Sequence, residues 1–291
     1  MEGRGEGLLV VGRTGQLAGA LARLAPEARF LARDEADLDD APACAAAIRA
    51  AAPRAVINAA AYTAVDRAET DRAAAWRANA DAPGAMAAAC ADLGIPFLHV
   101  STDYVFDGTG DAPRAEDAAT GPLSVYGASK REGENAVAAA GGRWAVLRTS
   151  WVFSARGRNF VRSMLDLGAA RDHLTVVDDQ IGGPTPADDL GRALLRMAAV
   201  MGADAGAGGL YHLAGRPDIS WAGFARAILA AAKLPCRVVP IPSAAYPTAA
   251  RRPANSRLDC TAIARDFGIA RPDWRAGLAQ VVGQLQAEGG A

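Results

Sequence analysis

Long apolar runs are missing from this chain of 291 residues. It has no stretch of about 18 uncharged apolar residues, so we expect no transmembrane helix and no membrane partner. The amino terminus, MEGRGEGLLVVG, is acidic and glycine-rich with only a short apolar segment, which is not the pattern of a secretory signal peptide. We therefore expect a cytoplasmic protein.

Cysteine and histidine are also scarce, with four cysteines and three histidines. They are scattered, and no two cysteines form a C-x-x-C pair, so neither a disulfide framework nor a zinc site is expected. We predict structural thiols in a reducing compartment and no metal site. The residues are Cys44, Cys90, Cys236 and Cys260, and His99, His173 and His212.

The chain lacks an excess of either charge. Its net charge is −1 and its pI is about 6.3, so no overall basic field attracts nucleic acid or an anionic membrane. With 51% hydrophobic and 22% charged residues, the composition is that of a globular protein with one large domain or two smaller ones. Local arginines can still bind a small anionic ligand.

Short apolar runs alternate with alanine-rich segments in the first half of the chain. The runs predict buried parallel strands near residues 8–12, 28–32, 55–60, 96–102 and 144–153. The segments between them predict helices near 15–25, 41–52, 71–93 and 125–141. This alternation predicts an α/β fold with a Rossmann-like, doubly wound parallel sheet and right-handed crossovers.

The pattern changes after residue 153. It predicts helices at 159–170, 187–200, 220–232, 259–267 and 273–287, and strands at 174–180, 209–215 and 236–241. The strand at 209–215 is expected to be the last of the large sheet. We predict a dinucleotide-binding domain of residues 1–153 plus about 185–215, and a smaller C-terminal α/β substrate domain of about 154–184 plus 216–291.

The first strand is followed by Gly12-x-x-Gly15-x-x-Ala18. Such a turn brings the backbone close to a pyrophosphate at a helix amino terminus, and a small third residue lets the helix pack on the sheet. A lone G-x-x-G is equally a plain strand–helix turn. Its place after the first strand favours dinucleotide binding.

The segment after the second strand, LARDEADLDD at 31–40, bears on the choice of cofactor. Arg33 suits a 2′-phosphate, whereas Asp34 suits a free 2′-hydroxyl, so NADPH and NADH both stay open. Asp37 and Leu38 are candidates for the adenine edge. A solvated charged loop is the alternative for each of these residues taken singly.

Two further strand ends carry candidate residues. The small residues Ala59–Ala61 after the third strand let a cofactor lie close to the backbone, with Thr63 and Val65 facing the nicotinamide side. Ser101 and Thr102 end the fourth strand, where hydroxyls can donate to a substrate carbonyl. Taken alone, the first segment is also a helix start rich in small residues, and the second a strand end or helix cap.

Tyr126 and Lys130 are four residues apart and share a helix face. A free tyrosine is a poor acid or base at neutral pH, and a neighbouring lysine cation lowers the tyrosine pKa towards the working range. Tyr-x-x-x-Lys is common by chance. After a G-x-x-G strand and a Ser-Thr strand end, it predicts a proton-transfer pair.

At this point the chain resembles the extended short-chain dehydrogenase/reductases, and within them the dTDP-4-dehydrorhamnose reductase family. The resemblance covers about residues 7–285. Its last segments are more specific than the shared G-x-x-G and Y-x-x-x-K motifs. The segments are GRTGQL (12–17), NAAAYTAVDRAE (58–69), STDYVFDGTG (101–110), PLSVYGASKREGE (122–134), RTSWVF (148–153), VVDDQIGGPT (176–185), AAYPT (244–248) and RPANSRL (252–258).

The resemblance implies an NADPH- or NADH-dependent reductase that converts the C4 ketone of dTDP-4-dehydro-L-rhamnose into dTDP-L-rhamnose. Thr102, Tyr126 and Lys130 would form the catalytic triad, with Lys130 also holding the cofactor ribose. The residues implied to contact cofactor are Gly12, Thr14, Gly15, Gln16, Leu17, Arg33, Asp37, Leu38, Ala59, Ala60, Ala61, Thr63, Tyr126 and Lys130. Those implied to contact the dTDP-sugar are Val65, Tyr104, Trp151, Asn159, Gln180, Arg252, Asn255 and Ser256.

Some alternatives stay open at this stage. Trp151 is also readable as a core tryptophan, and the substrate as another dTDP-4-keto-6-deoxysugar. A non-catalytic, nucleotide-binding regulatory subunit of the same family is a third reading, although the full Thr102, Tyr126 and Lys130 set argues against it. Some family members are magnesium-linked dimers, but Ala20 stands where those have an acid, so we expect no metal and a monomer or homodimer.

Overall fold

The computed structural model describes residues 7–204 and 206–289. Its strands are β1 Leu8–Val11, β2 Arg29–Leu31, β3 Ala55–Asn58, β4 Phe97–Thr102, β5 Trp144–Thr149, β6 Val152–Phe153, β7 His173–Val177, β8 Ile181–Gly182, β9 Thr185–Pro186, β10 Gly209–Leu213, β11 Ile219–Ser220, β12 Arg237–Ile241 and β13 Asn255–Ser256. Its α-helices are α1 Gln16–Leu24, α2 Ala41–Ala51, α3 Val65–Ala68, α4 Arg72–Trp76, α5 Ala82–Leu93, α6 Val125–Ala139, α7 Phe160–Ala170, α8 Ala187–Ala203, α9 Trp221–Ala231, α10 Thr261–Phe267 and α11 Trp274–Gly289.

Six strands form one parallel sheet in the order β10-β5-β4-β3-β1-β2. Helices α1, α8 and α10 pack on one face of this sheet, and α2, α5 and α6 pack on the other. The predicted doubly wound fold is confirmed, including residues 209–213 as the strand at the edge. The strand order reverses between β1 and β3, which is where such sheets bind ligands at their carboxyl ends.

The predicted strand at 144–153 is interrupted. Strand β5 ends at Thr149, and β6 then pairs with β9 outside the large sheet. Trp151 lies between the two with φ 49°, a left-handed conformation that is uncommon for a bulky side chain. The apolar run continues through this turn, so hydrophobicity alone did not reveal the break.

The predicted helix at 71–93 contains one π-helical turn, Arg77–Asp81, between α4 and α5. Asn79, which is fully buried in this turn, binds the backbone of Tyr62 through both atoms of its amide and donates to Ser129 Oγ on α6. Gly133 of α6 packs against the same turn, where an added Cβ would lie 1.9 Å from the Asn79 carbonyl oxygen. The π turn therefore fixes α6 against the loop after β3, as π turns often do near functional sites.

A second apolar cluster lies away from the large sheet. It is formed by α7, α9, α11 and the parallel pair β7–β12, with Phe153, Phe224 and Trp274 in contact at its centre. Residues 258–267 do not join it, because Leu258, Ile263 and Phe267 pack in the core of the large sheet. Within the described residues, no helix is long and apolar enough to cross a membrane.

Candidate active site

The turn after β1 lies at the point where the strand order reverses. Gly12 has φ 107°, and an added Cβ would lie 3.2 Å from the Cβ of Ala60, so the turn needs a glycine. Gly15 precedes α1 and offers no side chain to cap it, so the first N–H groups of the helix suit an anionic group. Ala59 and Ala60 lie beside this turn, and their small side chains make it compatible with a pyrophosphate.

The other predicted residues of this turn differ in what they can contact. Thr14 is exposed, whereas Leu17 is buried in the core of the sheet, so Leu17 can reach a cofactor only through its backbone. The Gln16 side chain accepts hydrogen bonds from Ser154 Oγ and Asn159 Nδ2 at 3.2 and 3.0 Å. Gln16 therefore ties the glycine turn to the start of α7.

The loop after β2 has its charges paired. The Arg33 guanidinium contacts Asp37 at 3.1 Å and Asp39 at 3.0 Å, with 77% of its side chain exposed. Asp34 is exposed beside it, and Leu38 packs partly against the core. An incoming 2′-phosphate would have to compete with two carboxylates for Arg33.

Tyr126 lies in the first turn of α6, over the end of β4. Ser124 caps this helix by accepting from Gly127 N–H at 3.2 Å, and Glu69 accepts from Val125 N–H at 2.8 Å. The Tyr126 ring meets Tyr104 edge to face, with centroids 5.7 Å apart. The structure thus brings together the tyrosine, the end of β4 and the loop after β3.

Burial raises the pKa of Tyr126 to about 12, against a lowering effect of its hydrogen bond with Thr102. In the described part of the chain, the charge acting on Tyr126 is that of Asp103, which raises the pKa further, rather than that of Lys130. The sequence-based expectation that Lys130 lowers this pKa stays a prediction. In the structure, Lys130 Nζ donates to the Val100 carbonyl at 2.7 Å and lies 3.0 Å from His99 Nε2.

Asp103 is a buried carboxyl group that the sequence reasoning did not assign. Its Oδ1 accepts from Thr102 Oγ1 at 3.1 Å, while Oδ2 is buried with no hydrogen-bond partner among the described residues. Burial raises the pKa of Asp103 to about 7, against the lowering effect of the neighbouring Ser256 and Thr102 hydroxyls. Near neutral pH this carboxyl group at the end of β4 is therefore partly protonated.

We expect Asp103→Asn to remove a pH-dependent loss of stability. The pKa of Asp103 is raised in the folded state, so its contribution to stability is present at low pH and lost as pH rises from about 4 to about 7. The free energy of unfolding of the variant minus that of the wild type should therefore be about 3–4 kcal/mol larger at about pH 8 than at about pH 4. Urea unfolding at both pH values measures this, with exposed Asp111→Asn as control; equal differences at both values would contradict the burial of a titrating carboxyl.

Trp151 connects the end of β5 to the second cluster. Its half-buried ring stacks on Trp221 of α9, with centroids 3.6 Å apart and planes at 12°. Gly182 separates Trp151 from Ser256, and an added Cβ there would lie 2.9 Å from each. Trp151 is therefore part of an aromatic pair near the cleft rather than a core tryptophan of the large sheet.

The other predicted substrate residues fall into two groups. Arg252 bonds both carboxylate oxygens of Asp66, next to Val65, at 3.1 and 2.7 Å, and so links the segment between β12 and β13 to α3. Asn159, Gln180 and Asn255 instead use their side chains on the protein. Their partners are Gln16 and the Arg162 N–H for Asn159, Ser243 Oγ for Gln180, and the Ala112 carbonyl for Asn255.

Sequence reasoning missed two buried polar groups beneath Lys130 and one ion pair beneath α6. Asn58 and His99 are 1% and 0% exposed, and the Glu134–Arg148 pair is equally buried. The available signal was a polar residue inside an apolar strand, as in AVIN and FLHVST. Among the described residues, no group of three or more histidine, cysteine or acidic side chains is arranged to hold a metal.

Comparison with known proteins agrees with this geometry. Residues 6–287 match the protein family described as the RmlD substrate binding domain. A dTDP-4-dehydrorhamnose reductase of Sinorhizobium fredii is 45% identical over 97% of this chain and 98% of its own, and one of Burkholderia thailandensis is 46% identical over 92% and 95%. The structure of the Bacillus anthracis dTDP-4-dehydrorhamnose reductase in complex with NADP has a TM-score of 0.88 at 31% identity, over 95% of this chain and 98% of that one.

Proposed function

The chain belongs to the family of the RmlD substrate binding domain, and from that premise we propose that it is a dTDP-4-dehydrorhamnose reductase. It reduces the C4 ketone of dTDP-4-dehydro-L-rhamnose to give dTDP-L-rhamnose, and it uses NADPH or NADH. The observation that carries the proposal is the position of Tyr126 at the start of α6, beside Thr102 at the carboxyl end of β4, in a sheet whose strand order reverses between β1 and β3.

We propose that Tyr126 is the general acid. When bound, a nicotinamide cofactor would supply the hydride to C4 of the sugar, and the C4 oxygen would then need a proton. Tyr126 keeps its proton at neutral pH because burial raises its pKa to about 12, and Thr102 beside it orients the carbonyl oxygen. One turn further along α6, Lys130 offers N–H groups to the cofactor ribose.

We propose that the dTDP-sugar lies between the segment that follows β3 and the segment that joins β12 to β13. The proposed contacts are Val65, Tyr104, Trp151, Arg252 and Ser256. Trp151 offers an apolar face for the sugar ring. Asn159, Gln180 and Asn255 support these residues by holding the surrounding loops.

We also propose the two-part organisation predicted from the sequence. The separate apolar cluster of α7, α9 and α11 supports a substrate domain, with residues 258–267 attached to the dinucleotide-binding domain. A cytoplasmic location and a monomeric or homodimeric state complete the proposal. Size-exclusion chromatography with light scattering distinguishes the two states.

The proposed activity is tested by NADPH and NADH oxidation at about 340 nm with enzymatically generated dTDP-4-dehydro-L-rhamnose. We expect rapid oxidation with at least one cofactor and dTDP-L-rhamnose as the product. Oxidation only with other dTDP-4-keto-6-deoxysugars would show that one of those sugars is the substrate instead. Tight cofactor binding without turnover on any of these sugars would favour a regulatory subunit.

A further inference from the structure

The Trp151 side chain lies in an aromatic stack that begins at the first residue of α9. The Trp221 ring stacks on it with centroids 3.6 Å apart and planes at 12°. Phe160, the first residue of α7, meets Trp221 in turn, with centroids 4.5 Å apart. Trp151 comes from the connection between β5 and β6, whereas its two partners pack on the second apolar cluster. The stack therefore joins the end of the large sheet to that cluster.

The conformation of Trp151 depends on such packing. Its φ of 49° is in the left-handed region, which is unfavourable for a bulky residue and persists only where neighbouring contacts fix it. The Thr185 N–H donates to the Trp151 carbonyl at 3.2 Å and holds the backbone. The indole N–H of Trp151 has no acceptor in the described part of the chain, whereas that of Trp274 donates to the Pro217 carbonyl at 2.7 Å. Ring contacts alone therefore orient the Trp151 side chain.

Gly182 of β8 covers part of the opposite face of the Trp151 ring. An added Cβ at Gly182 would lie 2.9 Å from Cε2 and 3.1 Å from Cζ2 of that indole. Cε2 is a ring-fusion atom whose bonds all lie in the plane, so such a contact comes from above or below the ring. The face stacked on Trp221 has no room for it, because the two centroids are only 3.6 Å apart. Contacts on both faces therefore fix the tilt of the ring, and the half-buried Trp151 keeps only its remaining edge and face open.

The stack lies next to the groups at the end of β4. The same added Cβ at Gly182 would lie 2.9 Å from Ser256 Cβ, and the Ser256 hydroxyl neighbours the Asp103 carboxyl group. Asp103 in turn accepts from the Thr102 hydroxyl at 3.1 Å. The tilt of the Trp151 ring therefore bears on how a sugar ring lies at this end of the sheet.

Trp221 has a rigid base from which to hold the ring. Ser220 caps α9 by accepting from the Gly223 N–H at 3.0 Å, and its hydroxyl bonds to Asp178. Phe160 supports the Trp221 ring from α7. The position of Trp221 is thus set by two helices that do not belong to the large sheet.

We propose that Trp221 is a positioning residue, which holds the Trp151 ring at the tilt that packs against the sugar of the dTDP-sugar. This proposal rests on the reductase function and on the Trp151 contact proposed above. A sugar ring packs its apolar side on an indole, and an indole that is already fixed binds it without the entropy cost of ordering a mobile ring. Trp221 touches no reacting atom, so its effect is on sugar binding and is exerted through Trp151.

Trp221→Leu removes the stacked ring and keeps an apolar side chain in its place. We expect the KM for the dTDP-sugar to rise about tenfold, while kcat and the KM for the nicotinamide cofactor change by less than about threefold. Trp221→Phe keeps an aromatic face and should stay within about threefold of the wild type in all three constants. Steady-state kinetics measure these values, and an unchanged KM for the sugar in Trp221→Leu would overturn the proposal.

A double variant shows whether Trp221 acts through Trp151. Trp151→Leu should raise the KM for the sugar by about tenfold or more, and adding Trp221→Leu should change it by less than about twofold. Two independent contacts would multiply instead. A further tenfold rise in the double variant would therefore contradict a role of Trp221 through Trp151.

Phe224→Leu is the control for a merely structural effect. Phe224 is fully buried in the same cluster and pairs with Phe153, Phe160 and Trp274 rather than with Trp151. The variant should unfold at a lower urea concentration and leave the KM for the sugar within about twofold of the wild type. An equal rise of this KM in Phe224→Leu and Trp221→Leu would show that packing of the cluster, and not the stack, is responsible.

A spectrum of the free protein tests the stack without any substrate. ¹H–¹⁵N correlation spectra show one indole signal for each of the five tryptophans, and Trp151→Leu assigns the Trp151 signal. We expect this signal to be single and ordered in the wild type and in Trp221→Phe, and to broaden or split in Trp221→Leu. A mobile Trp151 indole in the wild type would overturn the proposal even if Trp221→Leu does not fold. Absence of turnover by the wild type would instead contradict the proposed function, so the two failures are distinguishable.

Discussion

Tyr126→Phe is expected to lower kcat by about 10²-fold or more while cofactor affinity stays close to that of the wild type. The phenol is the proposed proton donor, and phenylalanine removes it while keeping the ring that meets Tyr104 edge to face. Steady-state kinetics and a cofactor titration by fluorescence measure the two quantities. A loss of this size with intact binding places the effect on the chemical step.

Tyr62→Phe is the matched control for this variant. Tyr62 packs in the same small apolar cluster, but its hydroxyl bonds to Asp71 at 3.2 Å instead of facing Thr102. Removing it should change kcat by less than about threefold, since no proton transfer depends on it. If Tyr126→Phe behaved like this control, another group would have to donate the proton.

Arg148→Met is expected to lower the free energy of unfolding by about 3–5 kcal/mol. Arg148 and Glu134 form two hydrogen bonds at 2.8 and 2.7 Å with 1% and 3% of their side chains exposed. Methionine has a similar volume but leaves the Glu134 carboxylate buried beside Ser101. Because α6 also carries Tyr126 and Lys130, the remaining folded protein should lose activity as well.

Two comparisons make the Arg148 result specific, both measured by urea unfolding. In Arg148→Met the buried Glu134 carboxylate keeps only the half-exposed Arg131 at 3.5 Å, so adding Glu134→Gln should restore about half of the lost stability or more. Arg192→Met breaks an exposed pair with Asp189 and should cost less than about 1 kcal/mol. Equal losses in Arg148→Met and Arg192→Met would show that burial of the pair is unimportant.

The fold was predictable because its strands and helices differ clearly in length and composition. Apolar runs such as LLVV and AVIN are too short for helices, and alanine-rich segments with capping residues separate them. The prediction was wrong where the local backbone departs from what the composition of the segment indicates. The π turn at 77–81 keeps helical composition, and the left-handed Trp151 lies inside an apolar run.

The candidate site was predictable only as a set of positions. Spacing places Tyr126 and Lys130 on one helix face, and strand order brings Thr102 and Gly12 to one edge of the sheet. Spacing does not show where a lysine nitrogen points, and here it turns to His99 and Val100 on β4. The orientation of the Lys130 side chain therefore depends on partners from another strand, which a sequence pattern does not contain.

The most direct test of the proposed reductase follows the transferred hydrogen itself. The protein would be incubated with dTDP-4-dehydro-L-rhamnose and NADPH carrying deuterium at the transferable position of nicotinamide, and the product analysed by NMR and mass spectrometry. We predict one deuterium at C4 of dTDP-L-rhamnose. A product without deuterium, or with deuterium at another carbon, would contradict hydride transfer to the C4 ketone.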